Sequence, residues 1–222
     1  MSEVIITVRG EHETRVAPEE AIATVSVRVD GAERGAVVER IAALSAPLRD
    51  DLAARKAEGA VREWTSQRVA VWANRPWNDQ GTQLPLVHYA SVELTATFTD
   101  FAALSWWITS IAEKDGVQVD GVQWHLTPET AKATEAAVAA SAVRVAVDRA
   151  TAYAAAIGHS TVTPLEVADL GLLTQHQAAT ARPEMMRMTT AAFAAGAGGP
   201  ALEFQPEDIV VSAAVEARFS AR

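Results

Sequence analysis

Apolar and polar residues alternate most regularly between Leu86 and Phe98. Leu86, His88, Ala90, Val92, Leu94, Ala96 and Phe98 share one face; Tyr89, Ser91, Glu93, Thr95 and Thr97 share the other. A period of two predicts a strand with one buried face. The same period marks 21–29, with Ala21, Ala23, Val25, Val27 and Val29 on one side, and 209–219, with Ile209, Val211, Ala213, Val215, Ala217 and Phe219. A short β-branched strand is predicted over 3–9, ending at Gly10. Helical spacing appears in Val37, Ile41, Leu44, Leu48 and Leu52. Asp30 and Glu33 ahead of it have the spacing of a capping box. Pro47 inside it predicts a kink or a split, and Gly59 a stop.

Between 64 and 73 another strand is predicted. Asn74-Arg-Pro-Trp-Asn-Asp-Gln-Gly81 is turn chemistry, so this strand and 86–98 form a hairpin with a long tip. Asp100 caps a short helix whose stripe is Phe101, Leu104, Trp107, Ile108 and Ile111, closed by Gly116. A strand over 117–126 carries a bulge at Asp120-Gly121. Thr127-Pro128 opens the longest helix, with Thr as cap and Pro at the first position. Val138, Ala142, Ala146, Ala150 and Ala154 recur along it every four residues, and Gly158 ends it. A strand over 162–173 follows, then 174–206, rich in Gln, Ala, Met, Gly and Pro, which reads as a long loop.

Strand, helix, strand, strand, helix, strand over 21–126 is the order of a ferredoxin-like split βαβ core, an antiparallel sheet with both helices on one face. The predicted class is α+β. The chain, 1–222, reads as a single domain: the β-α-β-β-α-β portion at 21–126, and the long Ala-rich helix, a strand, the loop and the closing strand at 127–222.

Composition narrows the function classes. Nineteen Lys and Arg against 28 Asp and Glu give a net charge of −9. Such a chain lacks the basic excess that nucleic-acid phosphates require, so no nucleic-acid partner is expected. With no cysteine, disulfides, thiol catalysis and Cys-type metal centres are excluded. No apolar run approaches the ~20 residues of a membrane span. The N-terminus has neither a basic n-region nor a long apolar core, so no signal peptide is read and a cytoplasmic address is expected.

Candidate chemistry is sparse. The five histidines, His12, His88, His125, His159 and His176, have no metal-ligand spacing. His88 reads as a buried, hydrogen-bonded core residue and His125 as a surface one. Acidic neighbours such as Glu19-Glu20 read as solvated charge. There is no nucleophile elbow, no phosphate-binding glycine loop and no dinucleotide fingerprint. No catalytic residue, cofactor site or metal site is therefore assigned. The tryptophans say more. Trp107 sits on the core stripe and Trp106 is turned about 100° from it. Trp72 and Trp77 flank the hairpin tip, where aromatics either anchor a partner or pack back on the sheet. Met185, Met186 and Met188 offer a soft contact surface or an oxidation sink.

Several stretches together resemble the SIMPL-domain family, long catalogued as a domain of unknown function. They are the start from Ile5 to Gly10, Val16-Ala-Pro18, the strand Ala21–Val29, Tyr89-Ala-Ser91 with Val92 and Leu94, and Gly121-Val122. The Ala-rich helix with Tyr153-Ala154 and Gly158, Phe204-Gln-Pro206 and the closing strand Ile209–Phe219 complete them. The family's usual Pro-Asp is here Pro18-Glu19. The resemblance implies an α+β protein with no established catalytic residues. It also implies links to oxidative-stress tolerance in bacterial members and to kinase signalling in an animal one. A periplasmic relative assembles into a large ring-like oligomer, and relatives commonly carry signal peptides.

The combined expectation is a non-enzymatic, self-associating protein with a stress-response or scaffolding role. Its contacts would come from the 174–206 segment, the hairpin tip and Trp106. The alternative is a small-ligand binding protein, or an enzyme with an unrecognised site, using a pocket around His88, Tyr89 and Trp72.

Overall fold

In a computed structural model, residues 3–173 and 204–222 are described. The order of elements is β1 (Val4–Val16), β2 (Glu20–Gly31), α1 (Arg34–Ala57), β3 (Val61–Asn74), β4 (Val87–Phe98), α2 (Phe101–Ala112), β5 (Val117–His125), α3 (Pro128–Ala156), β6 (Val162–Asp169) and β7 (Ile209–Ala221). The protein is α+β with antiparallel sheets. Its described residues fall into two compact units. One holds 18–125 with 204–207; the other holds 3–17, 126–173 and 208–222.

The first unit is a four-stranded sheet in the order β3-β4-β2-β5. Its β-α-β-β-α-β order and antiparallel neighbours are compatible with the expected ferredoxin-like arrangement. Val25 pairs with Leu94 and Val27 with Val92, so the alternating apolar residues of the two central strands share one face. Leu48 and Leu52 of α1 and Leu104, Trp107 and Ile111 of α2 close over that face and are fully buried. The helices thus contribute large side chains to this core, each worth about 1.5–3 kcal/mol by leaving water.

Local signals in this unit were mostly kept. Asp100 Oδ1 accepts from the Ala102 and Ala103 amides at 2.9 and 3.0 Å, which caps α2. The β5 bulge falls at Asp120, between the partners of Thr24 and Val25. Gly116 has a φ of +73°, and a Cβ there would lie 2.8 Å from the Arg28 carbonyl oxygen. Glycine is required there on both counts. The expected capping box at Asp30 is corrected. Asp30 stays in β2, paired with Tyr89, and the cap position of α1 is Glu33, whose side chain makes no cap bond. Ladder pairing held Asp30 in the strand against its local preference. Pro47 does not split α1.

The second unit is a three-stranded sheet, β1-β7-β6, with α3 on one face. β1 and β7 pair along their whole length, from Val4 opposite Ala221 to Val16 opposite Ile209. The strand expected to end at Gly10 therefore continues to Val16. Gly10 is not a terminator but a contact. A Cβ there would overlap the Ala142 carbonyl oxygen and lie 2.6 Å from the Ala146 nitrogen. The α3 backbone thus rests directly on β1, which its buried ridge of Ala142, Ala146, Ala150 and Ala154 permits. The α3 start is as predicted, with the Thr130 amide donating to Thr127 Oγ1 and Pro128 in the first turn. The strand expected over 162–173 stops at Asp169.

Candidate interaction surfaces

The hairpin is an ordered element. Beyond β3 and β4, the chain between Asn74 and Val87 is held by local hydrogen bonds to the backbone and to the Asn78 side chain. The Gln80 and Thr82 amides donate to Asn78 Oδ1 at 3.1 and 2.8 Å. The Leu84 amide donates to the Pro76 carbonyl at 2.8 Å. Trp77 and Gln83 form an isolated bridge, and Gly81 takes a φ of +71°. Asn side chains commonly organise turns in this way. Trp77 is thereby fixed at the tip with 66% of its surface exposed.

Trp72 and Tyr89 are direct cross-strand partners. Their rings stack at 5.4 Å with a 13° interplanar angle, on the sheet face opposite α1 and α2. Trp72 remains 47% exposed. Val69, on the other face of the same strand, is also exposed, as are Leu84 and Leu86 near the tip. The outer half of the hairpin therefore carries apolar groups on both faces. Trp106 is exposed on α2 beside fully buried Trp107, as the 100° offset requires. Met185, Met186 and Met188, with most of the 174–206 segment, lie outside the described residues.

A pocket around His88, Tyr89 and Trp72 does not form from these three together. His88 pairs with Gly31 and Ala73 and sits on the helix-side face, while Trp72 and Tyr89 are on the other. Further along that second face the side chains are polar. Ser26 Oγ donates to Asp120 Oδ1 at 3.2 Å, Arg28 lies 3.9 Å from the same carboxylate, and Arg68 lies 3.7 Å from Glu93. Exposed pairs of this length contribute little.

Two polar residues differ from their sequence reading. Glu20 is buried rather than solvated, and its carboxylate is ion-paired with Arg62. His125, read as a surface residue, is half-buried, with its Nε2 enclosed and without a hydrogen-bond partner among the described residues. No group of three or more His, Cys, Asp or Glu is placed to hold a metal among the described residues. No described helix is long and apolar enough to cross a membrane.

No curated protein matches the chain at a significant level. Residues 6–219 match the model of the SIMPL family, described as a protein of unknown function, DUF541. That match spans both units and every element from β1 to β7, so the chain belongs to the SIMPL family.

Proposed function

We propose that this protein is a non-enzymatic module that associates with further copies of itself through the outer half of the β3–β4 hairpin. The observation that carries the reading is a formed arm with exposed apolar side chains on both faces and Trp77 at its tip. Contiguous exposed apolar surface of this kind marks interaction sites, and exposed tryptophans are the side chains best suited to anchor them.

Charge favours a second copy as the partner. The whole chain carries −9, yet between Trp64 and Glu93 the charged residues are Arg68, Arg75, Asp79 and Glu93, with Arg68 3.7 Å from Glu93, so the arm is close to neutral. Copies of an acidic chain repel one another least where their surfaces are not acidic. Among the described residues β3 is also an edge strand, so the arm presents a backbone edge beside its apolar groups. A scaffolding role follows from self-association alone. Stress tolerance is the physiological setting that the family resemblance implies.

The test is solution mass by light scattering after size exclusion, at tens of micromolar. The wild type is expected as a discrete oligomer, and Trp72→Ser with Trp77→Ser as a smaller species with unchanged far-UV circular dichroism. A monomeric wild type overturns the reading.

A further inference from the structure

In the three-stranded unit, α3 and β1 touch backbone to backbone at Gly10 and part beyond it. The parting leaves a cleft of about 370 Å3. It is lined by His12, Thr14 and Val16 of β1 and by Thr134, Val138 and Ser141 of α3, among others. The cleft is shallow and open on one side, so it would cover only part of a small molecule.

The walls are open to solvent: His12, Ala133 and Ala137 are exposed, Thr14, Val16, Thr134 and Ser141 are half-buried, and Val138 is buried. Along β1 the residues facing α3 run Ile6, Val8, Gly10, and then His12, Thr14, Val16. Along α3 the buried ridge runs from Ala154 back to Ala142 and Val138, then reaches Thr134 one turn further. Both elements thus change from methyl groups to hydroxyls and an imidazole at the same end. Exposure to water accounts for polar groups at this end, but not for their lack of charge. The opposite face of the same strand carries Arg9, Glu11, Glu13 and Arg15, whereas the cleft side carries no Lys, Arg, Asp or Glu.

The polar groups are also available. Ser141 Oγ donates to the Ala137 carbonyl at 2.9 Å and keeps its lone pairs as acceptors. The side chains of His12, Thr14 and Thr134 make no hydrogen bond among the described residues. β1 is held by its ladder to β7, and α3 by its cap and by the Gly10 contact, so the walls are pre-positioned.

We propose that this cleft binds an uncharged small molecule combining an aliphatic stretch with hydroxyl or amide groups. Val16, Val138 and Ala137 meet the aliphatic part. The three hydroxyls and the imidazole supply both donors and acceptors for the polar part. A carboxylate or an ammonium would enter without a charged partner on the walls, and that desolvation is unfavourable.

The probe is hexane-1,2-diol, with hexanoate and hexylammonium as charged counterparts, followed by amide and methyl NMR shifts of the full chain. Expected are saturable diol shifts confined to 12–16 and 133–141, with a dissociation constant of order millimolar for so small a ligand. Thr14→Val with Thr134→Val should weaken the diol at least about fivefold, and Ala137→Phe, which fills the cleft, should abolish the shifts. Thr134→Val alone carries the test if the double variant does not fold. No saturable shift, binding unchanged in the Thr variants, or a charged counterpart binding more tightly than the diol would each overturn the proposal. None of these outcomes depends on whether the chain self-associates.

Discussion

The two units solve the same problem, covering a sheet with helix, in opposite ways. In the four-stranded unit the helices stand off on large side chains: Trp107, Phe98, Leu94, Leu104 and Ile108 fill the space between layers. In the three-stranded unit α3 brings four alanines to the interface and meets a glycine. The first arrangement draws its stability from apolar area removed from water. The second buries less area per residue and depends on close contact between backbones. One unit is therefore vulnerable to removing atoms, and the other to adding them.

That contrast is open to direct attack. Trp107→Ala should have the largest effect, a loss of about 3–5 kcal/mol in urea unfolding followed by circular dichroism. A loss below 1 kcal/mol would mean that this core collapses around the missing ring. Next, Gly10→Ala adds one methyl group, yet should cost up to about 3 kcal/mol, because the clash is with backbone. Amide exchange should quicken first in β1 and β7. A neutral result would show that α3 shifts freely on its sheet.

A helix-cap pair gives a smaller effect. Asp100→Ala should cost about 1 kcal/mol, whereas Glu33→Ala, which loses no cap bond, should stay near zero. Equal losses would remove the distinction between the two helix starts. The smallest effect is a pH dependence in the three-stranded unit. Glu3 accepts from Ser220 and Arg222, and these bonds hold its carboxyl below its ordinary value of 4.5. Its contribution is present above that value and fades as pH falls through the lowered one. Unfolding curves of the wild type and Glu3→Gln should accordingly converge in acid. A gap that widens in acid would contradict the assignment.

How far the sequence revealed these differences depends on how local each signal was. Period two along β2, β4 and β7 exposed the sheet faces, because each strand has one buried side. The α2 cap was legible because Asp100 acts on amides two and three residues away. Gly10 was misread for the opposite reason. Its role is to admit the α3 backbone, and nothing within β1 announces a partner at Ala142. Glu20 looked like one member of an acidic surface pair until β3 brought Arg62 beside it. Among the candidate contacts, exposed Trp77 and Trp106 followed from turn chemistry and helical rotation. The Trp72–Tyr89 stack required the hairpin register, which a long tip does not fix in advance. The cleft was missed because its walls lie far apart in the chain, and its signal was the missing charge on one face of β1.

The pairing of β1 with β7 also sets an order in time. The strands and helices of the four-stranded sheet lie within one uninterrupted stretch, Glu20 to His125, and that sheet can assemble while the rest of the chain is still being made. β1 leaves the ribosome before any of it but lacks its partner until Ile209–Ala221 emerges. At about 5–20 residues per second, the first strand waits roughly ten seconds or more for the last. During that interval its apolar side, Ile6 and Val8, has no β7 beside it, and α3 becomes available only after residue 156. Chaperone traffic on this protein should therefore concentrate on its first strand, the segment whose final packing depends on the last one to be synthesised.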